Sequence, residues 1–172
     1  MIPQSGTARF FWILHLILLA AVWLIPLSVY SSLPDQIAMH FDWQGHPNRY
    51  ASKHGWELWI LPLVTTALGV FFAALLKIPQ LYNYPGKDEV ALIPLERRRP
   101  IYNVLREMML AIAVCVDVIL VGTMAMIING GLSGAMAFPG AFVIVCFLLP
   151  LIPLIYYLPK LNRAIKAAQR PF

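Results

Sequence analysis

Four long apolar stretches dominate this chain and decide what it can fold into. Each runs for about twenty residues with few charges, which is the length that an α-helix needs to cross a bilayer. They predict membrane spans at about 10–30, 57–78, 107–128 and 138–158. Because unpaired backbone amides are costly in lipid, stretches of this kind fold as helices. The sequence therefore predicts an all-α integral membrane protein, built as a four-helix transmembrane bundle.

The overall composition supports a single membrane domain over residues 1–172. Of the residues, 60% are hydrophobic and 12% are charged, whereas about 25% are charged in an ordinary soluble domain. The net charge of +5 is expected to face anionic lipid at the bilayer surface, and no nucleic-acid partner is expected. Cys115 and Cys146 lie inside apolar stretches, where small core residues are more usual than a disulfide.

The distribution of basic residues predicts how the chain is oriented. From the N-terminus, the successive segments outside the spans carry one, two, six, none and four Lys or Arg residues, with Lys77 counted in the second connection. Basic residues accumulate on the cytoplasmic side of membrane proteins. We therefore expect both termini in the cytoplasm, a cytoplasmic connection at 79–106, a cytoplasmic tail at 159–172 and an outer cap at 31–56.

The outer cap is predicted to be a small ordered structure. Its residues alternate in polarity from position 36 to position 41, with Ile37, Met39 and Phe41 pointing to one side. That alternation indicates a short, half-buried strand. A turn and a polar segment that returns to the second span follow it.

The polar and aromatic side chains of the cap form the first candidate site. Tyrosine, tryptophan and arginine are the residue types that contribute most to protein interfaces, and Trp43, Tyr50 and Trp56 would act as anchors. The first hypothesis is a protein that recognises a peptide, a lipid or a partner membrane protein through its cap. Its candidate binding residues are Asp35, His40, Asp42, Trp43, His46, Arg49, Tyr50 and Lys53.

His15 and Asp117 form the second candidate site, because they lie in the interior of the first and third spans. Such residues are costly in hydrocarbon and face the interior of a bundle. Their predicted depths differ by about 6 Å, so a hydrogen bond between them is feasible, with Thr65 and Thr66 as neutral alternative partners. The pair suggests a proton-coupled small transporter or sensor; the alternative is a polar contact that fixes the order of the helices.

A metal site in the cap is the third hypothesis. His40, Asp42 and His46 could bind Zn²⁺ if the turn folds the second histidine back, and His54 is a possible fourth ligand. This arrangement would suit a metal-dependent membrane enzyme. The alternative is that these residues hold the turn together by hydrogen bonds, since the sequence has no motif such as H-E-x-x-H. A protein without a cofactor and without catalysis is the preferred interpretation.

The stretch LPDQIAMHFDWQGHPNRYASK resembles the signature of a bacterial membrane domain of unknown function, which forms the N-terminal part of SdpI-type immunity proteins. Ala38 departs from the family pattern, which usually has proline there. Tyr82-Asn83-Tyr84-Pro85 is similar to an Asn-Tyr-Pro motif that follows the second span in the family. The residues that fit the signature are Leu33, Pro34, Ile37, His40, Phe41, Asp42, Gly45, Pro47, Asn48, Arg49, Ser52 and Lys53.

This resemblance implies a multi-pass protein of the bacterial inner membrane, in a family where most members have no assigned activity. SdpI-type proteins protect a Bacillus cell against a secreted peptide toxin and can sequester a repressor at the membrane. They are longer than this chain and have additional spans. Together with the cap, the resemblance favours a membrane binding protein, of immunity type or accessory, that recognises a peptide, a lipid or a partner membrane protein.

The predicted orientation can be tested with two single cysteines. We expect Ser52→Cys, in the cap, to react with a membrane-impermeant thiol reagent in intact cells, and Gln169→Cys, in the tail, to react only after lysis. The reason is the excess of basic residues in the segments assigned to the cytoplasm. The reversed labelling pattern would contradict the orientation.

Overall fold

Helices form most of the fold, which a computed structural model describes for residues 5–42, 46–133 and 140–170. Four segments are long and apolar enough to cross a membrane, as predicted, and they indicate a multi-pass membrane protein: Gly6–Ser32, Glu57–Leu75, Arg99–Ser133 and Gly140–Gln169. The elements in chain order are α1 (Gly6–Val29), β1 (Gln36–Phe41), β2 (Pro47–Ser52), α2 (Glu57–Leu75), α3 (Lys87–Ala91), α4 (Arg99–Ser133), α5 (Gly140–Leu148) and α6 (Leu151–Gln169).

The helix ends differ from the predicted spans for local reasons. The Ser5 hydroxyl caps α1 by accepting a hydrogen bond of 3.1 Å from the Ala8 amide, so this helix begins before residue 10. Helix α4 begins at Arg99, because Pro100 is well tolerated in a first turn, where its missing N–H is not needed. The fourth span is two helices, since Pro150 cannot donate to the helical ladder and lies between α5 and α6.

Helix α4 is the centre of the bundle. It buries twelve of its residues, whereas α1, α2 and α6 bury four each. Helices α1, α2 and α6 and strand β1 all pack against it. Helix α5 has no buried residue and approaches α4 at Gly122, where an added Cβ would lie 3.2 Å from the Phe142 ring. Helix α4 is therefore the element against which α1, α2, α6 and β1 are positioned.

A two-stranded antiparallel sheet forms the cap, so the fold is mostly helical rather than all-α. The predicted strand at 36–41 is confirmed as β1, whereas β2, which pairs with it, was not predicted. Ile37 is 1% exposed and Met39 and Phe41 are partly buried, as the alternation predicts, but Ala38 is buried as well. The pairing is irregular on both sides of His40. The cap packs on the ends of α1, α2 and α4 through the cap cluster: Val22, Leu33, Ile37, Leu58, Met124, Ile127 and Ile128.

The connection between α2 and α4 is a packed unit and not a series of free turns. The Tyr82 hydroxyl donates a hydrogen bond of 2.8 Å to the Leu75 carbonyl at the end of α2. Burial raises the pKa of Tyr82 to about 12, against a smaller lowering effect of Arg106, so this donor stays protonated at neutral pH. The connection cluster joins the connection to α4 and α6, and its buried residues are Tyr82, Tyr84, Val90, Ile93, Ile101, Leu105, Met108, Ala111, Tyr157, Leu161 and Ile165.

Candidate functional site

His15 of α1 and Asp117 of α4, the second candidate site, are in direct contact. Nδ1 of His15 lies 2.5 Å from Oδ2 of Asp117, and each residue is 1% exposed. A hydrogen bond between these atoms requires one shared proton, which the imidazole or the carboxyl group can supply. The pair is therefore a site that can hold a proton away from water.

Parallel packing of α1 and α4 brings this pair together. A second contact joins the start of α1 to the third turn of α4, where the Ser5 hydroxyl donates to Oε1 of Glu107. Both contacts join residues that are 102 positions apart in the chain. A constant offset means that the helices run in the same direction and in register, so the two contacts are about 15 Å apart along both axes.

The spacing of buried residues explains why this register is stable. Helix α1 buries Ala8, His15 and Val22, and α4 buries Leu110, Asp117 and Met124. Both series repeat every seven residues, which is the repeat that keeps one face of each helix against a neighbour in left-handed packing. Adding 102 to each residue number of the first series gives the corresponding residue number of the second. His15 and Asp117 are therefore the middle members of two series whose other members are apolar.

Helix α2 closes one side of the pair without bonding to it. An added Cβ at Gly69 would lie 2.8 Å from Leu19 and 3.4 Å from Cε1 of His15, so glycine permits this close approach. Thr65 is fully buried, but its hydroxyl donates to the Leu61 carbonyl of its own helix at 2.7 Å. Among the described residues, His15, Thr65 and Asp117 are the buried polar or charged residues.

The Thr66 hydroxyl also bonds to groups other than Asp117. Its hydroxyl donates to the Pro62 carbonyl at 2.8 Å and accepts a hydrogen bond of 3.0 Å from Nε1 of Trp23. Of the three partners that the sequence offered to Asp117, the structure therefore brings His15 to it.

In the cap, several predicted binding residues hold the hairpin together. Nζ of Lys53 donates to the Leu33 carbonyl at 2.6 Å and lies 3.3 Å from Oδ1 of Asp35. The backbone amide of Lys53 donates to the Asp35 carbonyl at 2.9 Å. The Lys53 side chain is only 14% exposed. Asp35 and Lys53 thus close the base of the hairpin, although the Asp35 carboxylate remains open to solvent.

Two of the three predicted metal ligands, Asp42 and His46, lie close to each other, whereas His40 has another partner. Nδ1 of His40 lies 2.6 Å from Oδ1 of Asn48, across the hairpin. Asp42 instead accepts a hydrogen bond of 2.8 Å from the His46 amide and lies 3.6 Å from that imidazole. Over the described parts of the chain, no group of three His, Cys, Asp or Glu side chains is placed to hold a metal ion.

The outward surface of the cap remains open. Tyr50 is 57% exposed and Trp56 72% exposed, and the Arg49 side chain, 62% exposed, lies 3.7 Å from the Glu57 carboxylate. We call Arg49, Tyr50 and Trp56 the cap face. Trp43, which was also predicted to be an anchor, lies outside the described residues.

Sequence reasoning missed several partners in both places. Ser5 and Glu107, Asn48 opposite His40, and Glu57 beside Arg49 gave no motif of their own. Ser5 and Glu107 have the same offset of 102 residues as His15 and Asp117, so the pairing of His15 with Asp117 is the signal that would have found the first of these contacts. The cap contacts depend on how β1 and β2 pair, which no short motif specifies.

Comparison with known proteins identifies a shared segment but no activity. Residues 17–66 match the family model described as "Domain of unknown function (DUF1648)". This segment contains the whole cap with the adjoining parts of α1 and α2, and it excludes both His15 and Asp117. It supports the resemblance to a membrane domain of unknown function.

A relative from Archaeoglobus fulgidus, described as "Uncharacterized protein", is 34% identical over 92 residues. The match covers 49% of this chain and 49% of that protein, so the chain spans about half the length of the curated relative. No solved structure matches the chain.

The buried pair can be tested by two substitutions of one residue. Asp117→Asn keeps an oxygen that accepts from the imidazole, and we expect a small change in the free energy of unfolding. Asp117→Leu leaves a buried imidazole donor unpaired, which costs about 1–3 kcal/mol. The comparison is made by unfolding the purified variants in mixed micelles.

Val118→Leu is the matched control, because Val118 is the next residue of α4 and is 43% exposed. We expect it to change stability by less than about 0.5 kcal/mol. Equal stability of Asp117→Asn and Asp117→Leu would contradict a stabilising hydrogen bond.

Proposed function

We propose that this chain is an immunity-type or accessory binding protein of a bacterial inner membrane, which recognises a peptide, a lipid or a partner membrane protein through its cap. The observation that carries the proposal is that Asp35 and Lys53 hold the base of the hairpin in place, while the cap face remains exposed. Leu33 just before the hairpin and Ile37 on β1 are buried, while Tyr50 and Trp56 are more than half exposed. A surface that is already ordered loses less conformational entropy on binding than a flexible loop does.

The chemistry of the cap face favours a peptide or protein over a lipid. Arg49 and Tyr50 lie on strand β2, and both are exposed beyond the cap cluster. Arginine and tyrosine at an exposed, rigid position are typical of interface hot spots. Trp56 stands at the start of α2, where an aromatic ring is equally suited to lipid headgroups. The resemblance to SdpI-type proteins supports a peptide or protein partner.

The proposed orientation places the cap outside and both termini in the cytoplasm. The distribution of basic residues supports it, as does the parallel arrangement of α1 and α4, because two parallel spans must begin on the same side. The family match over residues 17–66 covers the cap and supports it as the element that this chain shares with its relatives.

Cross-linking from the cap face tests this proposal. A photoreactive benzophenone amino acid in place of Tyr50 should yield an adduct with one peptide or protein in the native host. Arg49→Ala in the same chain should reduce that adduct about tenfold, as a lost hot spot of about 1.4 kcal/mol would. The readout is the adduct band after affinity purification.

The matched controls probe the rest of the surface. A benzophenone at Ile155 of α6, which is 73% exposed, should cross-link to lipid and not to the same partner. Lys87→Ala, in the connection, should leave the Tyr50 adduct unchanged. The same protein adduct from both benzophenone positions, or none from Tyr50, would refute cap recognition.

A second function, a proton-coupled transporter or sensor, is supported by the contact between His15 and Asp117. A titratable pair inside a span commonly marks a proton pathway. In vesicles loaded with a pH-sensitive dye, wild-type protein should accelerate proton entry, and Asp117→Asn should reduce the rate to that of empty vesicles while the protein remains folded. Equal rates for the two proteins would exclude proton transport through this pair. The metal-dependent enzyme stays an untested prediction from the sequence.

A further inference from the structure

Helix α6 presents two different faces. One face carries Pro153, Tyr157, Leu161 and Ile165, which are buried against the connection and α4. The opposite face lines a shallow groove of about 610 Å³. The groove residues are Ile152, Ile155, Tyr156, Pro159, Lys160 and Arg163.

The groove changes from apolar to cationic along the axis of α6. Ile152 and Ile155, which are 60% and 73% exposed, form its first half. Lys160 and Arg163 form its other end, about 12–17 Å from Ile152 along the helix axis. A phospholipid has the same order, with acyl chains followed by a charged phosphate. The apolar half belongs to a segment that is long and apolar enough to cross a membrane, so lipid is the natural neighbour of this face.

Lys160 is held at the boundary between the two halves. Its Nζ donates a hydrogen bond of 2.7 Å to the Tyr156 hydroxyl and lies 4.2 Å from the centroid of that ring. The ammonium group therefore reaches back by one turn toward the apolar half. A lysine near a helix end usually extends the other way, out of the hydrocarbon and into water. A cation held at this level is placed to meet a lipid phosphate.

Among the residues that the structure describes, no acidic side chain is paired with either cation of the groove. Within the described ranges, the ion pairs involve His15, Arg49, Lys53 and the cap histidines, and none of them involves Lys160 or Arg163. Lys53 illustrates the difference, since it lies 3.3 Å from the Asp35 carboxylate. Two unneutralised charges beside an apolar groove call for an anion that brings its own apolar chain.

We propose that this groove is a binding site for an anionic phospholipid. The phosphate lies between Lys160 and Arg163, an acyl chain follows Ile155 and Ile152, and the Tyr156 hydroxyl positions the ammonium group. This inference is independent of what the cap recognises. It assigns the outward face of α6 a lipid of defined charge, in addition to the general attraction of basic segments to the membrane surface.

Native mass spectrometry of the delipidated protein in detergent tests the site. Phosphatidylglycerol should bind more tightly than phosphatidylcholine with the same chains. The double variant Lys160→Gln/Arg163→Gln should weaken phosphatidylglycerol binding about tenfold or more, since each basic residue near the surface contributes about 1 kcal/mol. Tyr156→Phe should weaken it less, because the ring remains.

The double variant Lys166→Gln/Arg170→Gln is the matched control, since it removes the same charge from α6 and the residue that follows it, outside the groove. It should change phosphatidylglycerol binding by less than about twofold. Equal losses in the two double variants would overturn the site in favour of diffuse attraction, as would equal affinity of the wild type for both lipids. Inorganic phosphate should not displace the lipid; displacement at comparable concentration would show that an anion alone is recognised.

All of the replaced side chains are exposed, and gel filtration in detergent verifies that each variant is folded.

Discussion

The hydrogen bond between His15 and Asp117 is the interaction on which the arrangement of this bundle depends. Lipid chains are as apolar as leucine, so burial alone does not tell one transmembrane helix where to lie along another. A polar group in a span does fix the position of the helix, because only a few residues at the same depth can bond to that group. Here the pair fixes α1 against α4 in both depth and rotation, and the contact between Ser5 and Glu107 fixes the same register at the start of α1.

The register of α1 and α4 also determines where the cap rests. Leu33 and Ile37 lie over the far end of α4, where an added Cβ at Gly131 would meet each of them at 3.5 Å. Shifting one helix by a turn would move its end by about 5 Å and separate these surfaces. The buried pair and the exposed cap face are therefore parts of one rigid frame, although the family match covers only the second of them.

What the sequence could predict follows from how local each signal is. The four spans and strand β1 follow from continuous or alternating apolar residues, and the sequence analysis predicted them. Strand β2 begins with Pro47 and carries polar residues, so it forms only because β1 is beside it. The packing of Tyr82 and Tyr84 on α4 and α6 was also out of reach, since it joins residues far apart in the chain.

The candidate sites show the same limit. A contact between His15 and Asp117 was foreseen as feasible, because the spans offered few partners at that depth. The metal hypothesis placed His40 and Asp42 on one strand face and relied on the turn to bring His46 back to them; in the structure, Nδ1 of His40 lies 2.6 Å from Oδ1 of Asn48 on the partner strand. Spacing along a strand places side chains on a face, but the partner strand decides which atoms meet.

A double-mutant cycle on the buried pair tests the central claim most directly. The free energies of unfolding in mixed micelles would be measured for wild type, His15→Leu, Asp117→Leu and the double variant. If the two side chains stabilise the register through their mutual bond, the double variant loses less than the sum of the single losses, with a coupling energy of roughly 0.5–2 kcal/mol. Strictly additive losses would contradict the claim that this contact holds α1 to α4.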